Sequence, residues 1–242
     1  MNVKHNLRKF LWAFGYDISR FVHTSHPLAR RRRILEYYEI DAVIDIGANS
    51  GQFARALRED IGYKRRILSF EPLSQAFKLL KANAKDDPAW SVFNYALGDI
   101  EEERVINIAG NSLSSSFLDI LPSHLMSAPD SGYIGKEVIE IKTLDSVFDD
   151  LCKSAKNVYM KIDTQGFESK VLTGAAMSLS RIDTVQMEMS LVPLYGGELL
   201  FDEMCNLMRG KGYTLIAVEN GFSVPATGQL LQIDGIFRRL QV

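Results

Sequence analysis

From residue 40 onward, short apolar runs alternate with helical stretches, and this rhythm constrains the fold more than any other feature of the chain. Ala42-Val43-Ile44-Asp45-Ile46 is ended by Gly47, the mark of a strand buried on both faces. Phe53 to Asp60 reads as the following helix. Arg66 to Phe70 is a second strand, closed by Glu71-Pro72, and Ser74 to Ala84 a second helix with Phe77 and Leu80 inward. Ser91 to Tyr95 is a third strand. Further on come a helix from Thr143 to Leu151, a strand from Val158 to Ile162, a helix from Phe167 to Gly174, a strand from Thr184 to Met189 and a helix from Leu199 to Gly210. Tyr213 to Val218 and Leu231 to Phe237 are the last strands. The turn signals Asn220-Gly221 and Thr227-Gly228 between them predict a hairpin. The class expected is α/β: a doubly wound, mostly parallel sheet with an antiparallel C-terminal hairpin.

The alternation is interrupted at about residues 100–142. Arg104 to Ala109 and Glu137 to Lys142 alternate apolar and polar, as half-buried strands do. The Ser-, Pro- and Gly-rich stretch from Asn111 to Gly135 lies between them. An inserted antiparallel pair with a long loop is expected, and loops of this length are usually functional or disordered. The organisation predicted is a basic arm over residues 1–39 and one domain over 40–242.

Composition excludes several classes. The chain has 242 residues, 46% apolar and 24% charged, which suits a globule rather than a disordered chain. Cys152 and Cys205 have no redox or metal spacing, and the four histidines are scattered, so a Cys/His zinc site is not expected. No apolar run approaches the ~20 residues of a membrane span. Nor does the N-terminus carry a signal peptide's apolar core, so a cytoplasmic location is expected. Residues 1–36 hold eight Lys/Arg against Asp17 and Glu36, including Arg30 to Arg33 in a row. Such an arm could meet a phosphate-bearing substrate or, peripherally, the inner face of an anionic membrane. Leu7, Phe10, Leu11 and Phe14 fall on one helical stripe; pattern alone favours packing on the body over lying on a membrane. No basic-aromatic interleaving continues beyond the arm, so a nucleic-acid partner is not expected.

The strongest chemical signal is Asp45-Ile46-Gly47-Ala48-Asn49-Ser50-Gly51, between the first strand and first helix. Gly47 permits a sharp turn, and Gly51 would let the helix start close to a ligand. A dinucleotide loop would read G-x-G-x-x-G, with pyrophosphate at the helix N-terminus. Here an acid stands two residues before the first glycine. That suits a ligand with a cationic ammonium group and no phosphate at this point, such as S-adenosylmethionine. Glu71, at the end of the second strand, is placed to accept both hydrogen bonds of a ribose diol.

The run Val43 to Phe53, then Phe70-Glu71-Pro72 and Asn94-Tyr95-Ala96-Leu97-Gly98-Asp99, resembles the FkbM-type S-adenosylmethionine-dependent methyltransferases. Met160-Lys161-Ile162-Asp163-Thr164-Gln165-Gly166-Phe167-Glu168 is similar to that family's second hallmark, as is the stretch around Glu188 and Leu194-Tyr195-Gly196-Gly197. The resemblance implies a Rossmann-like fold with a seven-stranded sheet. It also implies O-methylation of a hydroxyl on a sugar, glycolipid or glycosylated natural product. In such a fold Asp45, Gly47, Ala48, Asn49 and Gly51 flank the methionine part of the cofactor. Glu71 and Pro72 stand at the ribose, and Asn94, Tyr95, Ala96 and Leu97 line the adenine.

A sulfonium is already a strong methyl donor, so the protein mainly aligns the acceptor and helps remove its proton. Asp163, at the carboxyl edge of the fourth strand, is the first candidate for base, and His124 in the inserted loop the second. Lys161, Gln165, Glu188 and Tyr195 are expected on the acceptor side. Asp163 with Glu188 could hold a Mg²⁺, and Glu168 reads as a helix cap or structural ion pair. Two other readings remain: a nucleotide-dependent oxidoreductase or epimerase, which would need a phosphate loop and a Tyr/Lys couple, and a non-catalytic cofactor-binding module.

Overall fold

A computed structural model of the chain describes residues 3–239. Residues 1, 2 and 240–242, which the predicted arm and domain included, lie outside the described residues. Five parallel strands, β1 (Ala42–Ile46), β2 (Arg66–Phe70), β3 (Trp90–Phe93), β7 (Val158–Ile162) and β8 (Thr184–Ser190), are completed by β9 (Thr214–Asn220) and β10 (Gln232–Arg238). The order is β3-β2-β1-β7-β8-β10-β9, with β10 antiparallel to both β8 and β9. This is the predicted doubly wound sheet with its closing hairpin.

Strand alternation sorts side chains to two faces. Ala42, Ile44 and Ile46 of β1 share a core with Met160 and Ile162 of β7 and Met187 of β8, under α6 (Leu144–Cys152), α7 (Glu168–Thr173) and α8 (Phe201–Gly210). Thr143 caps α6 by accepting from the Ser146 N–H at 3.2 Å. On the other face Val43, Ile67 and Tyr159 meet Ile34 and Leu35 of α2 (Pro27–Tyr37), Ala54 of α3 (Gln52–Ala56) and Leu80 of α4 (Ser74–Ala84). The helix predicted to Asp60 leaves α-geometry at Leu57, where a π-turn runs to Ile61.

The insertion is a separate three-stranded sheet. β5 (Glu102–Ala109) pairs antiparallel with β6 (Tyr133–Lys142), as expected, and the short β4 (Ala96–Leu97) adds to β6 in parallel. Ile106, Ile139 and Ile141 pack against Leu73 and Ala76 at the start of α4. The long loop is ordered around α5 (Pro122–Ser127).

Two expectations for the arm are corrected. The boundary at residue 39 is too late: α2 belongs to the body, with Ile34 and Leu35 in the core and Arg31 ion-paired to Glu219 at 2.7 Å. Conversely, α1 (Val3–Trp12) does not pack on the domain; every residue from His5 to Ser25 except Leu11 is exposed. Among the described residues no helix is long and apolar enough to cross a membrane.

Candidate functional site

A cavity of about 520 Å³ opens at the carboxyl ends of β1, β2 and β7, the edge where open α/β sheets bind ligands. Its floor is the Gly47 to Asn49 turn. Gly47 has φ +75°, and a Cβ there would lie 1.8 Å from the Asp163 carbonyl oxygen. Glycine is therefore required for β1 and β7 to close against each other at the site. Asn49 is also left-handed, at φ +47°, and its side-chain Oδ1 accepts from the Ser50 N–H at 2.8 Å.

Glu71 fastens this turn to β2. Its Oε2 accepts from the Asn49 N–H at 2.7 Å and its Oε1 from the Leu73 N–H at 2.9 Å. Each oxygen keeps a lone pair for a further donor. The carboxyl is 4% exposed, and burial pushes its pKa up to about 7 against the opposing pull of the two backbone donors. Pro72, Leu73, Ala96, Leu97 and Ile106 continue the wall from Glu71 as an apolar slot. Leu113, Phe117 and Ser112 of the insertion roof it, with Ser112 Oγ accepting from Asn49 Nδ2 at 3.2 Å.

The far end is polar. Lys161, Asp163, Gln165, Gln186, Glu188 and Asp234 line it, together with Arg31. Lys161 Nζ lies 3.1 Å from Asp163 Oδ2 and 3.7 Å from Asp45 Oδ1. Burial opposes its charge, but the two carboxylates outweigh burial and raise its pKa. Gln165, strained at φ +55°, donates from Nε2 to Asp163 Oδ1 at 2.8 Å and to Glu188 Oε2 at 2.9 Å, while its Oε1 accepts from the Tyr195 hydroxyl at 2.6 Å. Burial, reinforced by Asp163 and Asp234, holds the Glu188 carboxyl well above the usual range, and its Oε2 also accepts from Gln232 Nε2 at 2.9 Å. The Asp163 side chain keeps 35% of its surface open to the cavity.

Residues 45–215 match the Methyltransferase FkbM domain family. The chain belongs to the FkbM methyltransferase family. None of the curated proteins compared with it matches. Among solved structures it is similar to an FkbM methyltransferase from Methylobacillus flagellatus, at 14% identity and a TM-score of 0.49, over 81% of this chain and 44% of that one. The chain thus spans less than half the length of that relative. It is also similar to an rRNA methylase from Streptococcus thermophilus, at 10% identity and a TM-score of 0.48, over 90% of this chain and 98% of that one.

In this family member the expected site residues fall into two groups. Gly47, Ala48, Asn49, Glu71, Pro72, Ala96, Leu97, Lys161, Asp163, Gln165 and Glu188 line the cavity. The rest stand behind it or away from it. Asp45 is fully buried beneath the turn, where its Oδ2 accepts from Ser69 Oγ at 3.1 Å and Lys161 covers its other side; it supports the site from below instead of facing an ammonium group. Gly51 clears Trp90 and Leu80, since a Cβ would come within 2.8 Å of the indole, so its absent side chain serves helix packing and not ligand approach. Asn94 turns its amide to the Glu71 and Pro72 carbonyls, and Tyr95 packs on Phe70 and Phe93, so neither reaches the cavity. Tyr195 does not line the cavity; its hydroxyl donates to Gln165 Oε1 at 2.6 Å and to the Ser114 carbonyl at 3.4 Å.

His124 is also displaced from its expected role. It is 3% exposed inside the insertion, with Nε2 on Ser131 Oγ at 3.1 Å and its ring edge-on to Tyr195. Burial lowers its pKa, as suits a neutral packing residue. Glu168 follows its structural reading: Oε1 accepts from the Thr164 N–H, Thr164 Oγ1 and the Gly166 N–H, clamping the turn that carries Asp163 and Gln165. Among the described residues no three His, Cys, Asp or Glu side chains gather as a metal site. Arg31, from the basic run expected to meet a substrate, lines the cavity, whereas Gln186 and Asp234 are not among the expected residues. The signal for Gln186 was its place two residues before Glu188, on the same face of the strand.

Proposed function

We propose that the protein is an S-adenosylmethionine-dependent O-methyltransferase acting on a hydroxyl of a sugar, glycolipid or glycosylated natural product. One observation carries this reading: a single cavity joins a diol-accepting carboxylate, Glu71, to an ionic, hydrogen-bonding end centred on Asp163. The residues present fit the cofactor. The spare lone pairs of Glu71 suit a ribose diol, the slot of Leu73, Ala96, Leu97 and Ile106 suits a flat base, and the Gly47 to Asn49 turn suits the amino-acid part. When bound, the sulfonium supplies an activated methyl group.

The remaining chemistry belongs to the chain. Gln52, Gln186, Asp234 and Glu188 offer the polar contacts a polyhydroxyl acceptor needs. Asp163 orients the reacting hydroxyl and takes its proton on a carboxylate oxygen. Gln165 fixes the Asp163 rotamer, and Lys161 supplies the opposing charge. A Mg²⁺ between Asp163 and Glu188 would have to displace the Gln165 amide that already donates to both, so the reading assigns the proton to Asp163 directly. The insertion residues Ser112 to Phe117 exclude water from above.

The test is mass spectrometry of hydroxylated glycosides incubated with the cofactor, seeking a gain of one CH₂. Asp163→Asn should lower turnover by roughly 10²–10⁴ with little change in cofactor affinity. Chelator-sensitive activity restored by Mg²⁺ would return the metal to the mechanism. Transfer to amines or RNA, with none to any glycoside hydroxyl, would overturn the reading.

A further inference from the structure

We infer that the arm around residues 7–22 is an anchor that seats the protein on an anionic membrane surface. Leu7, Phe10, Trp12, Phe14, Ile18 and Phe21 are all at least 49% exposed within this one stretch, and four of the six are aromatic, whereas the large apolar residues exposed on the body are, Tyr37 apart, aliphatic. Isolated apolar residues on a surface are ordinary; a contiguous group of aromatic ones marks an interaction site.

The occupant follows from shape and charge. The exposed rings are not confined to one seam of α1. They continue past its end through the irregular residues 15–22. A second copy of the chain or a groove on a protein needs a matching seam; a headgroup layer does not. Aromatic side chains also favour the boundary between water and lipid tails. The arm's only acid, Asp17, is consumed internally. Arg8 donates to it from Nε at 2.6 Å and Trp12 donates from Nε1 at 2.9 Å. Lys9 and Arg20 remain exposed and unopposed by an acid of the arm. Residues 1–25 hold four bases against that one acid, while the chain as a whole carries −2, so the rest is acidic. An anionic surface therefore attracts the arm and repels the body. The arm leaves the body through α2, the helix that brings Arg31 to the cavity wall.

The inference is independent of the acceptor and of methyl transfer, and it is tested with the full chain. Co-sedimentation is measured with phosphatidylcholine vesicles with and without phosphatidylglycerol. Partition onto the anionic vesicles is expected, weakening as salt is raised. Lys9→Gln and Arg20→Gln should each lower partition roughly fivefold. Phe10→Ser and Phe14→Ser should each lower it by about tenfold or more, with the thermal midpoint unchanged because these side chains touch nothing in the core. Absence of partition, or equal partition onto neutral vesicles, would overturn the inference. So would a solution dimer, seen by light scattering, that Phe10→Ser and Phe14→Ser convert to monomer: the face would then belong to a second copy.

Discussion

Glu71→Gln removes the charge at the cofactor end of the cavity while keeping the shape of the side chain. In the wild type both carboxylate oxygens hold a backbone N–H, those of Asn49 and Leu73. Only the ionised form also accepts two ribose hydroxyls. Burial places this titration at about 7. At pH 6 roughly a tenth of the free protein is then ionised, and at pH 8 roughly nine-tenths, so affinity for S-adenosylhomocysteine should rise about tenfold between them. Glutamine keeps the shape but has one accepting oxygen. It should bind about ten- to a hundredfold more weakly at pH 8, since one charge-assisted bond is worth ~1.5–3 kcal/mol. It should also lose the pH slope.

Folding stability gives an independent reading of the same group. The native carboxyl holds its proton more tightly than the unfolded chain, whose carboxyl titrates near 4.5. The stability Glu71 contributes is therefore full below about 4.5 and lost as pH rises through about 7, by an amount of order 3 kcal/mol. Calorimetric titration of wild type and Glu71→Gln at three pH values measures the affinity. A wild-type affinity flat between pH 6 and 8, or a slope that survives in Glu71→Gln, would remove Glu71 from the ligand.

Other changes test the surroundings. Gly47→Ala must relieve a 1.8 Å approach to the Asp163 carbonyl at a left-handed φ; it should cost at least ~2 kcal/mol in urea unfolding and abolish cofactor binding, and a well-folded binder would contradict the close packing of β1 on β7. His124→Ala should destabilise by about 1–3 kcal/mol while turnover per folded molecule stays within about twofold; a hundredfold fall would restore a catalytic histidine. Burial pushes Glu168 up to about 7, so its ionisation burdens the fold at pH 8 and not at pH 5. Glu168→Gln should accordingly gain on the wild type by a few kcal/mol between pH 5 and pH 8, and an equal difference at both would show that Glu168 is not held protonated.

The sheet was legible because each central strand is a short apolar run with a glycine, proline or acid at its carboxyl end. The helix from Ser74 to Ala84 was read to the residue. Errors arose where distant residues decide a local matter. The third strand stops at Phe93, not Tyr95, because the Asn94 amide binds back to the Glu71 and Pro72 carbonyls. The chain is thereby redirected so that Ala96 and Leu97 pair with β6. In α2 a run of four arginines hid a core-facing side, since the partner that buries Arg31 is Glu219, far along the chain. The stripe on α1 is a true amphipathic signal, but periodicity reports that a face is apolar and not what covers it.

Polar residues in the central strands explain why the site lies where it does. In register across the face beneath α2 and α3, Ser69 stands beside Asp45, Asp45 beside Lys161, and Lys161 beside Gln186, with Asp234 bonded to the Gln186 amide at 2.9 Å. Asp45 and Lys161 interrupt strands whose other residues are Ala, Val, Ile, Met or Tyr. A charge in a strand covered on both faces costs several kcal/mol unless it is partnered. These groups are partnered by one another and by a few side chains next to the row: Trp90 to Ser69, Ser69 to Asp45, Asp45 to Lys161, Lys161 to Asp163, Tyr159 to Gln186. Asp45 Oδ1 remains without a hydrogen bond, and burial raises the Asp45 pKa. An apolar row would serve the fold better. The row therefore does something other than stabilise, and its outer members show what: Lys161, Asp163, Gln186 and Asp234 emerge in the cavity. Asp45 is then the buried counter-charge that keeps Lys161 in place beneath Asp163. Neutralising it as Asp45→Asn should disturb the acceptor end of the site more than the Glu71 end.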